Sequence, residues 1–511
     1  MGLGRTLGIS LVGLTGHVIE VEAHLAASIP GFTLVGLPDA SLAESRDRVR
    51  AAVHSSGIPW PQRRITVNLS PASLPKAGSG FDLAIAVATL AGAGVCSSQA
   101  VAEVVHVGEL GLDGRLRAVR GVLPAVAAAV AAGRPRVVVP LGNADEARLV
   151  PGAQVVAAAT LAEVARAYGA QVELVEVRDE EPVVPPLAEA WAQPELGDVI
   201  GQSAARWALE VAAAGGHHLL MVGPPGAGKT MLAARLPGLL PDLGEREAVE
   251  VTAIHSVAGT FHPAGGLVRR PPFEDPHHTA TPAAVVGGGS GLPRPGAASR
   301  AHRGVLFMDE APEFSPRVLQ TLRQPLEHGE LVIHRAGGTA RYPARFQLVL
   351  AANPCPCGRS VGKGLECTCT AVQRRRYFSR LSGPLLDRVD MQLEVLPVTR
   401  ADRMAAAAPE STAVVAARVA AARAAAAHRL RGTPWRTNVE VPGSWLREHG
   451  SGPAAHRDLE RALDTGLLSL RGVDRVLRVA WTLADLAGRP SPTAGEIGQA
   501  LLLRTRGQVG A

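Results

Sequence analysis

One octapeptide limits what this chain can fold into: Gly223-Pro224-Pro225-Gly226-Ala227-Gly228-Lys229-Thr230. The apolar run before it, Leu219-Leu220-Met221-Val222, reads as a buried strand, and Met231, Leu232, Ala234 and Leu236 follow at helical spacing. Strand, glycine-rich turn and helix are what a phosphate cradle needs. Backbone N–H groups turn inward around phosphate oxygens, and the helix N-terminus adds the positive end of its dipole. Lys229 brings a point charge to the β- and γ-phosphates, and the Thr230 hydroxyl is placed for Mg²⁺. A glycine-rich turn alone would say little in a chain with 56 Gly, but only three lysines occur (Lys76, Lys229, Lys363) and one fills the required slot. Gly223 through Met231 are therefore the expected nucleotide contacts.

A second motif supports the first. Gly304-Val305-Leu306-Phe307-Met308-Asp309-Glu310 reads as a strand buried on both faces, with two carboxylates at its C-terminal edge, where ligands sit in parallel α/β sheets. Asp309 is placed to hold Mg²⁺ through water, and Glu310 to polarise an attacking water. A third buried strand, 346–352, ends on the polar tip Asn353. Residues 329–347 read as a β-hairpin with a Gly337-Gly338 tip flanked by Arg335 and Arg341. Cys355-Pro356-Cys357 and Cys367-Thr368-Cys369 can close a tetrahedral Zn²⁺ site, although this spacing is tighter than the usual Cys-x₂-Cys, and free or redox-active thiols are the alternative.

At 511 residues the chain should form about three domains. Glu176–Glu181 and the prolines at 182–186 mark a solvated connector over 176–196. It separates a mixed α+β domain (1–175) from the ATPase core (197–400), and Ala- and Arg-rich helices follow over 401–511. In the first domain, 18–23 and 64–69 alternate as strands and 137–139 reads as a buried one. Helices are expected over 39–55 (N-cap Asp39 or Ser41), 81–90 and 122–132. The glycine-broken apolar patch 7–14 makes a poor signal peptide, and no apolar run reaches the roughly 18 residues of a membrane span, so a cytoplasmic protein with no membrane partner is expected. The net charge of +6 permits nucleic acid without requiring it.

Leu74-Pro75-Lys76-Ala77-Gly78-Ser79-Gly80-Phe81-Asp82-Leu83, with Gly108-Glu109-Leu110 and Gly114-Arg115-Leu116, resembles the proteolytic domain of Lon. More closely, it resembles the first domain of the magnesium-chelatase-like ATPases called the YifB/ComM group, a likeness that spans essentially the whole chain. The Lon serine slot holds Gly80, the lysine slot falls near Leu123, and no lysine occurs over 77–228, so protease chemistry is not expected. The resemblance implies an α/β fold: an AAA+ parallel-sheet core with a helical lid, preceded by an α+β Lon-protease-like domain of the ribosomal S5 domain 2 type. It implies that Val199 and Ile200 touch the adenine (ordinary core is the alternative), that Asn353 orients the attacking water, and that Arg388 reaches a neighbour's γ-phosphate. Arg388 could instead pair with Asp387 or Asp390. Arg471, with Arg475 as fallback, would be the lid arginine. Insertions at 276–296 and 329–347 would face a central pore and bring His334, Arg335 and Arg341 to a phosphate backbone. The implied assembly is a homo-oligomer, a hexamer, that uses ATP and Mg²⁺ to move on branched or single-stranded DNA. A chelatase-like motor acting on a protein or metal-insertion partner is the alternative, with no porphyrin expected.

Overall fold

In the structure, a computed structural model, the described residues are 2–36, 42, 44–76, 78–174, 194–289, 293–335, 338–360, 366–381, 383–400, 404, 409–449 and 453–505. Most of the expected connector lies outside them, as do Asp39, Ser41, Gly337 and the side chain of Arg335.

The first sheet has seven strands in the order Gly31–Val35, Arg64–Ser70, Thr15–Ala26, Gly2–Val12, Val105–His106, Arg136–Pro140, Gln154–Ala158. Its long antiparallel hairpin, Gly2–Val12 against Thr15–Ala26, includes the stretch whose glycines obscure a strand pattern. Those glycines have a packing reason. A Cβ on Gly4 would run into the carbonyl oxygen of Ala88, so helix Asp82–Gly92 lies directly on the strand backbone. All eleven residues of that helix are buried as a result. The helix expected over 39–55 is described as Ser45–Ser55, with Gly57 past its end at φ 70°.

The second sheet has five strands, Phe273–Glu274, Val305–Met308, Gln347–Ala352, Leu219–Val222 and Met391–Glu394, all parallel. Alternate residues feed two cores. Leu219, Met221, Val305, Phe307, Val349 and Ala351 face one; Leu220, Val222, Leu306, Met308, Leu348 and Leu350 face the other. Burial on both faces is why these strands read as unbroken apolar runs. On the first face, helix Ser203–Gly215 packs against Thr412–Arg429 and Leu470–Leu486, which ties the C-terminal helices to the sheet.

The two sheets meet along helix Glu245–Ala258 and the hairpin Glu330–Arg335/Gly338–Pro343. Gly121 N donates to Ser256 O at 3.2 Å, and the Ser256 hydroxyl donates to Glu146. The turn after Val12 reaches the hairpin: Gly13 has φ 66°, and a Cβ there would stand 2.6 Å from the Arg341 carbonyl oxygen. Leu14 and Val257 both pack against Ile333, Ala340 and Tyr342 of the hairpin. Among the described residues no helix is long and apolar enough to cross a membrane.

Candidate nucleotide site and four-cysteine cluster

The phosphate loop leaves its strand at the C-terminal edge of the second sheet. Gly223 is forced by close approach, since a Cβ would strike the Val395 carbonyl oxygen. Gly226 and Gly228 hold φ of 76° and 90°, the left-handed region where glycine is unstrained, and helix Lys229–Ala233 begins immediately after. Lys229 is buried, and its ammonium donates to Gly223 O (2.7 Å), Pro224 O (3.0 Å) and Asn353 Oδ1 (3.1 Å). Burial pulls its pKa below the usual lysine value, against the opposing pull of Asp309 and Glu310. Thr230 Oγ1 donates to Asp309 Oδ2 at 2.6 Å, bringing a hydroxyl and a carboxylate to one point beside the loop. Two hard oxygen donors there suit Mg²⁺, and the glycine turn suits phosphate, so the residues fit both groups.

Glu310 follows at φ 49°, a left-handed conformation that non-glycine residues adopt at a cost of about 1 kcal/mol or more, and its N–H donates to Asp309 Oδ1 at 2.8 Å. Its Oε2 lies 3.3 Å from Nδ1 of His278, whose ring stacks near His277 in the first insertion. That insertion and the hairpin brace each other. The Tyr342 hydroxyl donates to Pro293 O at 2.6 Å, and Ile333 packs where a Cβ on Gly287 would fall. On the hairpin, His334 contacts Thr339 (2.9 Å), while the exposed Arg341 pairs with Glu330 (3.3 Å).

Beyond Asn353 the chain enters the cysteine pairs. Cys355, Cys357, Cys367 and Cys369 place their sulfurs within 4.8 Å of one another. Cys355 Sγ lies 3.3 Å from Cys357 Sγ and 3.7 Å from Cys367 Sγ, and Cys357 to Cys367 is 3.8 Å. A tetrahedron with Zn–S bonds of about 2.3 Å has edges of about 3.8 Å, so the donor set fits Zn²⁺ in kind and spacing. The fifth cysteine, Cys96, is buried in the core beside the seven-stranded sheet.

The opposite, N-terminal edge of the same sheet carries the arginines. A cavity of about 930 Å³ there is lined by Arg388, Arg471, Arg475, Arg478, Arg423 and Glu327, among others. Arg388 is buried and pairs with Glu327, not with Asp387 or Asp390. Burial, and then Arg323, Arg471 and Arg475, lower its pKa. Asp390 belongs to Arg475 (2.9 Å) and to His218 N (2.9 Å). Burial alone would raise its carboxyl, but the Arg475 charge, helped by His217 and His218, holds it well below the usual range.

Residues 195–403 match the family described as Magnesium chelatase, subunit ChlI; 21–143 match Subunit ChlI of Mg-chelatase; 409–504 match Magnesium chelatase, subunit ChlI C-terminal. The Mycobacterium tuberculosis (H37Rv) protein Rv2897c is 53% identical over 508 residues, 99% of both chains. YifB of Escherichia coli (K12) is 41% identical over 477 residues, 93% of this chain and 92% of its own. Competence protein ComM of Haemophilus influenzae is 39% identical over 523 residues, 98% and 97% of the two chains. The chain belongs to the YifB/ComM family of magnesium-chelatase-like AAA+ ATPases.

In this YifB/ComM-family ATPase, Lys229, Thr230, Asp309, Glu310 and Asn353 converge at one sheet edge. Val199 and Ile200 separate: Val199 is fully buried in the core, whereas Ile200 is 52% exposed and is the one free to meet a base. Met231 is partly exposed beside the loop. Arg471 is the expected lid arginine. It shares the arginine cavity with Arg388, at the far edge, because helix Leu470–Leu486 is anchored there through Arg475 and Asp390. Arg475 is committed to that buried pair. Sequence reasoning passed over Gln202, which sits at φ 49° and donates to Ala227 O at 2.6 Å, bridging the Ile200 segment to the loop. A lone Gln gives no signal for such a role. His278 and Tyr377 were likewise invisible as site residues, since only the fold brings them to Glu310 and Asn353.

Proposed function

We propose that this chain is the protomer of a ring, a hexamer, that hydrolyses ATP and uses the stroke to move along branched or single-stranded DNA, in branch migration when incoming DNA is recombined during natural transformation. The observation that carries it is the division of the active site between two sheet edges. Lys229, Thr230, Asp309, Glu310 and Asn353 stand on one, and Arg388 with Arg471 on the other. A protomer so built completes the site of its neighbour. Mg²⁺ would supply charge neutralisation at the phosphates. Lys229 and the loop N–H groups bind the triphosphate, Thr230 and Asp309 hold the cation, Glu310 takes the proton of the attacking water and Asn353 orients it. Arg388 and Arg471 meet the neighbour's γ-phosphate, where a guanidinium stabilises transferring charge. Ile200 covers the adenine.

The two mutually braced insertions support the DNA reading, because the hairpin carries His334 and Arg341 and is braced against the insertion that brings His278 to Glu310. The name of the Haemophilus relative, Competence protein ComM, agrees with it. The 1–175 segment serves as scaffold. Ser79 spends its hydroxyl on Glu109, and buried Leu123 stands in the lysine slot. The four cysteines hold structural Zn²⁺, and the protein works in the cytoplasm. The chelatase-like motor is the second reading, favoured by the three chelatase-subunit matches.

ATPase and fork-unwinding assays on wild type, Lys229→Ala and Arg388→Ala, with and without forked DNA, test the proposal. Wild type should be stimulated by DNA and unwind forks, and both variants should be inactive. An ATPase indifferent to DNA that unwinds nothing sinks the translocase in favour of the second reading.

A further inference from the structure

The cysteine cluster lies on the two chain segments that hold Asn353 against the phosphate loop. On the near side, Asn353 accepts from Lys229 at 3.1 Å, and Cys355 follows two residues later, fully buried. Gly358, just past Cys357, turns at φ 74°, and a Cβ on it would stand 2.6 Å from Cδ of Pro225. The Cys355–Gly358 turn is closed by Gly358 N donating to Cys355 O at 2.9 Å, so it rests against the phosphate loop itself. On the far side, Cys367 and Cys369 run directly into helix Ala371–Ser379. Thr370 caps that helix, with Gln373 N donating to Thr370 Oγ1 (3.2 Å) and Thr370 N donating to Gln373 Oε1 (2.8 Å). Buried Tyr377 of the same helix lies beside the Asn353 backbone, which partly offsets the upward push that burial gives its phenol. The near pair thus touches the loop, the far pair leads into the helix beside Asn353, and among the described residues the pairs meet at their four sulfurs.

We infer that a tetrahedral divalent cation, Zn²⁺, bound by Cys355, Cys357, Cys367 and Cys369 sets the phosphate loop for nucleotide, so that ATP affinity depends on the metal although the metal touches no nucleotide. This rests on the zinc reading given above. Binding a cation takes the four thiols as thiolates and orders the loop that carries them. With the cation gone, Gly358 no longer backs Pro225, and Asn353 loses its fixed place beside Lys229.

The test uses the full-length protein, with metal content by elemental analysis and binding of a fluorescent ATP analogue. Wild type should carry about one zinc per chain. Chelator-stripped protein and Cys367→Ser/Cys369→Ser should bind nucleotide weaker by about tenfold or more, an effect of the size that shells around a metal produce. Adding Zn²⁺ back should restore the stripped protein and not the double variant. Gly358→Val strains a left-handed residue and presses on Pro225; it should keep its zinc and still lose nucleotide affinity. If the stripped protein binds ATP as tightly as the loaded one, or Gly358→Val binds it normally, the coupling is overturned while the zinc site stands. If wild type neither carries zinc nor takes it up, both fall.

Discussion

The two edges of the five-stranded sheet are built from opposite chemistry. The C-terminal edge gathers an ammonium, a hydroxyl, an amide and two carboxylates, and most of them satisfy one another: Lys229 with Asn353, Thr230 with Asp309. The N-terminal edge gathers guanidiniums around a cavity, where Arg388 and Arg475 are held by acidic partners and Arg471 is exposed at the mouth of its helix. The Leu219–Val222 strand that separates the edges is about 10 Å long, beyond what a side chain at one edge bridges to the other. One protomer therefore carries two dissimilar halves. On the proposed reading, Glu327 holds Arg388 in reserve for a nucleotide on another protomer, whereas Arg475 is committed to Asp390.

The strongest way to break that comparison is Arg388→Ala, expected to lower kcat by about 10³-fold, the usual scale for a transferred guanidinium, while ATP binding is kept. Lys229→Ala should lose binding as well as turnover. Mixing the two inactive proteins should restore part of the phosphate-release rate, because a mixed ring contains junctions with both halves intact. A mixture as dead as its components refutes the two-edge division.

Next in size is Asp390→Asn. Removing the fully buried carboxylate of this pair, whose Arg475 is partly exposed, should cost about 3 kcal/mol, read by chemical denaturation. Because the folded carboxyl lies well below its ordinary value, the stability it contributes is fully present above the unfolded pKa near 4. It drains away as pH falls below that toward the folded value. The gap between wild type and variant should stay level from pH 7 to about pH 5 and narrow below about pH 4. A gap that already shrinks between pH 7 and 5 would mean that Asp390 does not anchor the arginine edge.

Arg341→Ala sharpens the comparison from outside it. If the hairpin meets a phosphate backbone, the slope of log affinity against log salt should fall by about 1, with unstimulated ATPase unchanged. The smallest effect belongs to Ile200→Ala, about 1 kcal/mol in nucleotide affinity with little change in melting temperature. Buried Val199→Ala should show the reverse.

What the sequence made legible follows from where each contact is made. Leu219–Val222 and Val305–Met308 announce themselves because both faces are covered, so no polar residue breaks the run. Asp309 and Asn353 are readable as tips of such strands, and Lys229 and Thr230 as the residues that close the glycine loop after one. The strand Gly2–Val12 was hidden because Gly2, Gly4 and Gly8 look like punctuation, whereas each meets helix Asp82–Gly92 or its lead-in residue Phe81 at close range. Whether Val199 or Ile200 faces inward is invisible in an apolar pair. The partner of Arg388, Glu327, lies in another helix, and the place of Arg471 depends on how a distant helix docks; neither leaves a local pattern.

Leu14 fills the underside of the insertion hairpin, and the Gly13 backbone abuts Arg341. A hairpin seated this way cannot swing by itself. Any displacement must either shear Leu14 out of its apolar seat or drag the long amino-terminal ribbon along, so the position of the hairpin is tied to the far sheet as a crank is to its rod.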